Sequence, residues 1–174
     1  MEAAGREKYS ENTLFVFIGD HGIPGNADNL YPGAWTGLRL TMEHVPLLFY
    51  APGKISQRKI GTIVSQVDVL PTIAGLCNIE YSNTTLGRDM LNPSETGLAF
   101  IFDPDNKMTG VIKGDYFYRM RLNGDQDDLV SIVSNDAPPG SDSVRAEMRT
   151  LTQALFESSR YLLFNNKKKA HVKQ

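Results

Sequence analysis

The chain has 174 residues, of which 41% are apolar and 22% charged, and these values are typical of a folded protein with a core of its own. Its 18 basic and 20 acidic side chains give a formal charge of -2, which argues against a dedicated nucleic-acid binder because such proteins are normally basic. The one cysteine excludes an intrachain disulfide and a zinc or iron–sulfur site made of several cysteines.

The sequence shows neither a membrane span nor a signal peptide. The longest apolar run, residues 45–52, contains Pro46 and is far shorter than the roughly 20 residues that a spanning helix needs. The N-terminal residues 1–12 are polar and charged and lack the apolar core of a signal peptide. Taken literally, the chain carries no targeting signal, an expectation that depends on Met1 being the natural start.

The first part of the chain reads as an α/β protein. Residues 14–18 form an unbroken apolar run, which predicts a strand buried on both faces, as in a parallel sheet covered by helices. The stretch 28–39 is rich in Gly, Pro and Asn and predicts a long loop, and residues 45–50 predict a second buried strand. A helix is expected to begin at Asp68, whose side chain can cap it, and to be largely buried over residues 69–77.

The last part of the chain predicts an antiparallel sheet followed by a helix. Gly114-Asp115 lies between two short apolar runs and predicts a two-residue type II′ hairpin, and Asn123-Gly124 marks a further turn. A terminal helix is expected to begin near Ser141, with one apolar stripe. The residues of this stripe are Val144, Met148, Leu151, Leu155 and Leu162. We therefore divide the chain into an α/β domain, residues 1–96, and a small antiparallel sheet with a C-terminal helix, residues 97–174.

The residues best suited to chemistry are Asp20 and His21, which follow directly on the first predicted strand. Open α/β sheets bind ligands at the carboxyl ends of their strands, and Gly19 and Gly22 give the backbone freedom to turn both side chains toward one point. A carboxylate and a neutral imidazole are natural ligands of zinc or manganese, although a catalytic cation needs at least three protein ligands. The alternative is an aspartate that caps a turn beside an ordinary histidine.

Other candidate residues carry weaker signals. His44 opens the second strand, where it either faces the site or simply ends a strand, and Arg39 either neutralises an anionic substrate or stays solvated. His171 and the lysine run 167–169 are expected to be solvent-exposed, and three lysines are few for a site that binds phosphate or lipid headgroups. Cys77 has no charged neighbour in its apolar helix and is expected to be a packed, unreactive thiol.

Four segments, taken in chain order, resemble the sulfatase branch of the alkaline phosphatase superfamily. They resemble a strand with metal ligands, the strand that follows it, a helix, and a short segment that closes the core. The segments are residues 12–22, 44–53, 67–76 and 86–90. Within this branch the chain looks most like the lipoteichoic acid synthase-like group, whose members include membrane-anchored phosphoglycerol transferases. The implied fold is the C-terminal portion of an alkaline-phosphatase-like mixed sheet covered by helices, followed by a small antiparallel sheet and a terminal helix.

The resemblance implies roles for single residues. Asp20 and His21 match the adjacent pair that binds the catalytic divalent metal, where many sulfatases have Asp-Asn. A histidine ligand favours manganese or zinc over calcium, and this slightly favours phosphate esters over sulfate esters as substrates. His44 and Arg39 are the candidates for contact with the oxygens of the anionic substrate.

The chain departs from the family at the nucleophile. Relatives carry a Thr, Ser or modified Cys upstream of this region, and the sulfatase signature Cys/Ser-x-Pro-x-Arg is absent, since Ile79 and Tyr81 stand after Cys77 where Pro and Arg would be. We therefore expect the C-terminal portion of a metal-dependent enzyme that hydrolyses or transfers phosphate (phosphoglycerol-type) or sulfate esters, and expect this portion alone to be inactive. By resemblance, the parent protein is membrane-anchored and works outside the cytoplasm.

Two further expectations concern partners. A non-catalytic domain that binds a partner or an anionic glycan or lipid surface is the alternative to an enzyme. In either case, the predicted strands lack the upstream strands with which relatives pair them. Exposed apolar sheet edges are then expected to favour association of the chain with another chain.

Overall fold

The structure is a computed structural model, and it describes three stretches of the chain: residues 2–92, 97–124 and 126–166. Its contacts divide the chain into two units, Met1–Gly61 and Thr62–Gln174. The domain boundary predicted after residue 96 was drawn for the domains of a longer protein, and this domain division stays a prediction. No helix in the described stretches is long and apolar enough to cross a membrane.

The first unit is built from short helices and one pair of strands. Its elements are α1 (Glu2–Gly5), a 3₁₀ turn (Lys8–Asn12), β1 (Phe15–Ile18), α2 (Ala34–Gly37), α3 (Leu40–Glu43) and β2 (Leu47–Tyr50). The two strands form an antiparallel sheet, with Phe15 opposite Tyr50 and Ile18 opposite Leu47. The segment predicted as a long loop therefore contains the single helical turn α2.

The pairing of β1 corrects the prediction of a parallel strand buried on both faces. β1 and β2 run antiparallel, and Phe17 and Ile18 are 45% and 44% exposed. Leu48 and Tyr50 of β2 are exposed as well, so the second strand is not buried as predicted. An apolar run in the sequence does not indicate the direction of the strand or which elements cover it. Both depend on residues that are far away in the sequence.

The second unit combines a short helix, a four-stranded sheet and a long helix. Its elements are a 3₁₀ turn (Gln66–Asp68), α4 (Val69–Leu76), β3 (Leu98–Asp103), β4 (Met108–Lys113), β5 (Tyr116–Arg121), β6 (Asp127–Ser131) and α5 (Ser141–Asn165). The strands lie in the order β3-β4-β5-β6, and each is antiparallel to its neighbour. This confirms the antiparallel sheet and the terminal helix expected from the sequence.

The predicted hairpin joins β4 to β5. Lys113 and Tyr116 are paired, so Gly114 and Asp115 form a two-residue loop. Gly114 has a φ of +56° and Asp115 does not have a positive φ, as a type II′ turn requires. Glycine is needed at the first loop position because other residues are strained in this conformation.

α5 covers the sheet through its predicted apolar stripe. Met148 is buried in the core beside Val111 and Tyr118, and other members of the stripe pack around this core. These other members are Val144, Leu151 and Leu155. The spacing of the stripe alone was enough to predict which face of the helix is buried.

A single carboxylate on β6 joins the sheet to α5. Asp127 forms ion pairs with Arg145 and Arg149 of the helix and accepts a hydrogen bond from the Tyr118 hydroxyl at 3.0 Å. Burial is the main cause that raises the pKa of Tyr118, and its bond to Asp127 raises it further. The tyrosine therefore stays protonated and keeps donating to the carboxylate at neutral pH.

Asp68 is a buried structural carboxylate and not the side-chain cap of α4. Its side chain is 1% exposed and accepts hydrogen bonds from the backbone N–H groups of Ser65 and Arg88, both at 2.8 Å. The Arg88 guanidinium donates to Asp68 at 3.2 Å and to the Leu98 carbonyl at 2.9 Å. The predicted helix start is confirmed, since Asp68 is the N-cap residue of α4. Its side chain forms no capping bond to this helix, because a 3₁₀ turn precedes the helix and Ser65 caps that turn.

The prediction that α4 is largely buried holds for one face only. Pro71, Thr72 and Ala74 are buried, whereas Leu70 is exposed. Only one side of α4 packs against other parts of the chain. Its nearly uniform apolar composition therefore does not indicate how much of its surface is buried.

Candidate functional site

Asp20 and His21 follow β1 and bring their side chains together. His21 Nε2 lies 3.7 Å from Asp20 Oδ2, and the two side chains are 69% and 90% exposed. Two ligands of one tetrahedral zinc ion lie about 3.4 Å apart when each is about 2.1 Å from the metal. The expected convergence is therefore present at the carboxyl end of the strand, while the role of the pair as metal ligands stays a prediction.

Backbone contacts orient both side chains. Asp20 Oδ1 accepts the His21 N–H at 2.9 Å. His21 Nδ1 lies 2.8 Å from the Gly22 carbonyl oxygen, and because a carbonyl only accepts, Nδ1 must carry a proton. In the neutral ring, Nε2 is then unprotonated, and its lone pair lies on the side of the Asp20 carboxylate. This is the tautomer that a metal ligand needs.

The same contacts shift the pKa of each group. The backbone N–H of His21 lowers the pKa of Asp20, with a further contribution from the imidazole charge. The hydrogen bond to the Gly22 carbonyl raises the pKa of His21, and the Asp20 carboxylate raises it further. Below the raised value the two form an ion pair, and above it they present a carboxylate and a neutral imidazole, the forms that bind a cation.

Two glycines let this turn approach the segment before β2. The Gly19 N–H donates to the Pro46 carbonyl at 3.1 Å, and the Gly22 N–H donates to the Met42 carbonyl at 2.7 Å. A Cβ on Gly22 would lie 2.1 Å from the Thr41 carbonyl oxygen. Neither glycine has a positive φ, so the close approach of two backbones, and not the expected freedom to turn, requires glycine here.

His44 lies on the segment that these hydrogen bonds hold against the Asp20-His21 turn. The contacts at Met42 and Pro46 bracket it on both sides. His44 therefore lies on a segment that is hydrogen-bonded to the turn, and whether its side chain faces the site stays a prediction. Its contact with substrate stays a prediction.

His44 is also part of an aromatic cluster that was not predicted from the sequence. The Tyr31 and Trp35 rings are stacked, with centroids 4.2 Å apart, and the His44 ring meets them edge-on at 6.3 Å and 5.3 Å. No spacing rule could have revealed the stack. Tyr31 and Trp35 are four positions apart, but Tyr31 lies before α2, so the rule for side chains on one helical face does not apply to this pair.

Arg39 is exposed and begins α3 with a left-handed backbone conformation, φ 58°. A residue other than glycine is uncommon in this conformation. The Arg39 carbonyl accepts the Met42 N–H at 2.9 Å, which starts the turn that leads to His44. The role of the Arg39 guanidinium toward the substrate stays a prediction.

Two other expectations from the sequence have different outcomes. Cys77 was predicted to be packed, but it is exposed. It lies at the C-terminal end of α4, outside the buried face of that helix. His171 and the lysines 167–169 lie outside the described residues.

Comparison with known proteins finds a family model and solved structures that are similar to this chain. Residues 1–79 match the family model described as Sulfatase. A protein in the alkaline phosphatase superfamily from Vibrio parahaemolyticus has a TM-score of 0.60 and 22% sequence identity, covering 94% of this chain and 38% of that chain. The crystal structure of Ps i-CgsB has a TM-score of 0.64 and 19% identity, covering 91% of this chain and 39% of that one. No curated protein matches the chain in sequence.

Residues 1–79 of this chain are similar to the Sulfatase family, and the fold is similar to that of the two solved structures. The structural likeness confirms the predicted fold class, a mixed α/β protein with a small antiparallel sheet and a C-terminal helix. The chain spans about two fifths of the length of the two solved structures. The sulfatase-like region includes Asp20, His21, Arg39 and His44, the four residues singled out from the sequence.

Proteins of the alkaline phosphatase superfamily generally use divalent metal ions, and Asp20 and His21 fit such an ion in donor chemistry. A carboxylate oxygen and an imidazole nitrogen 3.7 Å apart are suitable ligands for one cation. In the described part of the chain, no group of three or more His, Cys, Asp or Glu side chains could hold a metal. Asp20 and His21 therefore have the donor chemistry of two metal ligands, and their role as ligands stays a prediction.

We predict that Gly22→Ala destabilises the chain, whereas Gly25→Ala does not. The new Cβ at position 22 would meet the Thr41 carbonyl oxygen at 2.1 Å, and a Cβ at Gly25 would meet nothing within 4 Å. Urea unfolding should show a loss of about 1–3 kcal/mol for the first substitution and a change within about 0.5 kcal/mol for the second. Equal effects of the two substitutions would contradict the close backbone approach.

We also predict that the pKa of His21 falls when Asp20 is replaced by Asn. The substitution removes the carboxylate charge but leaves the hydrogen bond to the Gly22 carbonyl, so part of the rise should persist. NMR titration of the imidazole protons measures this pKa, and Asp28→Asn is the control because it removes a carboxylate that is bonded to Thr36 instead.

The sign of the pH dependence follows from the raised pKa of His21. Whatever stability the ion pair contributes is fully present below the unfolded-state pKa of about 6.5 and is lost as the pH rises through the folded-state value. An unchanged His21 titration in the Asp20→Asn variant would show that the two side chains do not interact in solution.

Proposed function

We propose that this chain is the C-terminal part of a metal-dependent enzyme that hydrolyses or transfers phosphate or sulfate esters. The observation that carries the proposal is the convergence of Asp20 and His21 at the end of β1, inside the sulfatase-like region. The fraction of the two solved structures that the chain spans supports the view that further residues of the site lie elsewhere in a longer protein.

The residues of this chain would bind and orient, and a metal would supply the Lewis acidity. A divalent ion of this kind lowers the pKa of a nucleophile and stabilises charge on the transferred group. Asp20 Oδ2 and His21 Nε2 would hold the ion, and the Gly22 carbonyl would keep the His21 ring in the required tautomer. Arg39 and His44 would contact the oxygens of the anionic ester.

The ligand types favour manganese or zinc over calcium. Calcium prefers oxygen ligands, whereas an imidazole nitrogen suits zinc and other transition metals. A histidine in place of the asparagine that many sulfatases carry also favours a phosphate ester as the substrate, as in phosphoglycerol transferases of the lipoteichoic acid synthase-like group. With that group as the template, the parent protein would be membrane-anchored and work in the periplasm or at the cell surface.

Replacing Asp20 by Ala in the longer protein should remove most of its bound manganese or zinc. The carboxylate supplies both a ligand and the negative charge that neutralises the cation. Elemental analysis measures the metal, and hydrolysis of aryl phosphate, phosphodiester and sulfate esters measures activity. Activity should fall by at least about 100-fold, since loss of a ligand exceeds the effect of disturbing its neighbours.

The matched control is Asp28→Ala, which removes an exposed carboxylate of the same loop region and should leave the metal in place. Unchanged metal content in the Asp20→Ala variant would contradict the proposed function and favour a non-catalytic binding domain. The 174-residue chain by itself should show no turnover with added manganese or zinc. Metal-dependent turnover by this chain, lost in Asp20→Ala, would show instead that it carries a complete site.

The sheet of the first unit supports the further proposal that the isolated chain associates with itself. Each of its two strands has one partner among the described residues, so each also presents an unpaired edge. The apolar side chains Phe17, Ile18, Leu48 and Tyr50 are exposed on these strands. Unpaired edges with apolar side chains favour pairing with another chain, and charged residues oppose it.

On this basis, the chain should elute in size-exclusion chromatography ahead of a 19.3 kDa monomer, and Ile18→Lys should shift it toward the monomer. The control Ile23→Lys introduces the same charge at an exposed isoleucine outside the sheet and should have little effect. Monomeric elution of the unsubstituted chain at all concentrations would disprove association through the sheet edges.

A further inference from the structure

The last turn of α5 exposes three large apolar side chains, which we call the apolar tip. Tyr161, Leu163 and Phe164 are 67%, 79% and 68% exposed, and Leu162 between them is partly buried. Side chains of successive residues on an α-helix point about 100° apart, so these four residues surround the helix axis. One sheet cannot cover apolar side chains on every side of a helix, and the tip therefore stays in contact with water.

The tip lies at the end of α5, beyond the residues of the helix that pack in the core. Phe156 contacts Phe102 of β3, with ring centroids 5.9 Å apart. With a rise of about 1.5 Å per residue, Leu163 lies about 10 Å further along the helix than Phe156. The Asn166 side chain donates to the Thr84 carbonyl at 3.2 Å and to Thr84 Oγ1 at 3.0 Å. The helix is therefore held on both sides of the tip.

Positive charge is concentrated in the same part of the sequence. Residues 158–174 contain five of the 18 basic residues and none of the 20 acidic ones. The rest of the chain keeps 13 basic and 20 acidic residues and has a formal charge of -7. The acidic residue nearest to the tip in sequence, Glu157, forms an ion pair with Arg160 at 3.3 Å. The other basic residues of this stretch are Lys167, Lys168, Lys169 and Lys173.

We propose that the apolar tip and the basic residues that follow it bind the surface of a bilayer that contains anionic lipids. The tip would enter the boundary between headgroups and acyl chains, as the apolar faces of interfacial helices do. Tyr161 suits this boundary because its ring is apolar and its hydroxyl can stay in contact with water. The lysines would face the lipid phosphates, and each basic residue near an anionic membrane raises binding about fivefold.

The proposal depends on two signals that occur together. Three lysines are few for a site that binds lipid headgroups, and single exposed apolar side chains are normal on a protein surface. A membrane contact becomes stable when apolar side chains enter the bilayer and a basic patch attracts the headgroups at the same time. The end of α5 and the residues after it supply both signals within one short stretch.

A bilayer accounts for the charge better than a second copy of the chain does. Two copies in contact through their tips would bring the same basic residues together, and like charges repel each other. The inference goes beyond the proposed function, since neither Asp20 nor His21 takes part in it. The membrane anchor expected from the family resemblance belongs to the parent protein, whereas this contact uses residues of the chain itself.

Flotation of the 174-residue chain with large unilamellar vesicles tests the proposal. Vesicles of phosphatidylcholine with about 30 mol% phosphatidylglycerol should carry the chain with them, and vesicles of phosphatidylcholine alone should bind it at least about tenfold more weakly. Raising the NaCl concentration to about 1 M shortens the Debye length to about 3 Å and should also weaken binding to the anionic vesicles. Binding that is absent, or equal for the two lipid compositions, would overturn the proposal.

Variants of the tip measure the apolar contribution. Leu163→Ala combined with Phe164→Ala removes two exposed side chains and leaves a strong helix former at both positions, so circular dichroism should show an unchanged helix content. Affinity for the anionic vesicles should fall at least about tenfold, because burial of a large apolar side chain contributes this much. The control, Leu70→Ala combined with Tyr81→Ala, removes an exposed leucine and an exposed aromatic ring of the same unit and should bind as the unsubstituted chain does.

Variants of the lysines measure the electrostatic contribution. Lys167→Gln, Lys168→Gln and Lys169→Gln together should lower the affinity for anionic vesicles about 100-fold. A control variant that removes the same charge at exposed lysines of the first unit should change the affinity no more than about threefold. Its substitutions are Lys8→Gln, Lys54→Gln and Lys59→Gln. Equal losses in the two triple variants, or full binding by the tip variant, would overturn the proposal.

Size-exclusion chromatography without lipid separates a bilayer from a second copy as the occupant of the tip. The combined Leu163→Ala and Phe164→Ala variant should elute as the unsubstituted chain does. Elution of this variant nearer to the 19.3 kDa monomer, together with no vesicle binding by the unsubstituted chain, would overturn the proposal in favour of a second copy. Vesicle binding should be unchanged in Asp20→Ala, and a large loss there would show that the tip is not the surface that binds.

Discussion

The candidate site depends on a backbone contact that only glycine allows. Gly22 lies so close to the turn before β2 that its N–H bonds the Met42 carbonyl and its Cα faces the Thr41 carbonyl. This contact fixes where the chain leaves β1, and with it the position of the Gly22 carbonyl that orients His21. It also holds the segment with His44 in place. Thus one steric constraint positions the proposed metal ligands and the neighbouring aromatic rings together.

Features that depend on short stretches of sequence were predictable. The type II′ hairpin at Gly114 needs one glycine between two apolar runs, and the buried face of α5 follows from the spacing of a few side chains. The convergence of Asp20 and His21 belongs to this class, because adjacent residues at a strand end are bound to lie close together. The resemblance in four ordered segments then predicted the fold class, which spacing alone does not contain.

Features that join distant residues were not predictable. The direction of β1 depends on its pairing with β2, and the partner of Asp68 is Arg88, twenty positions further along the chain. The function of the buried aspartate could not be read from its place at the start of a helix, where a capping role is equally consistent with the sequence. The aromatic cluster of Tyr31, Trp35 and His44 was missed for the same reason, since His44 joins the other two rings only in the folded unit.

The exposed thiol at the end of α4 has a consequence for stoichiometry. Cys77 is the only cysteine of the chain, so oxidation can connect two copies and then has no second thiol with which to continue. The covalent product is a dimer that reducing agents separate. Association through strand edges has no such limit, because a strand added to one edge presents a new edge to the next copy. Oxidation of Cys77 therefore gives assemblies no larger than a dimer, whereas pairing of strand edges gives assemblies of no fixed size.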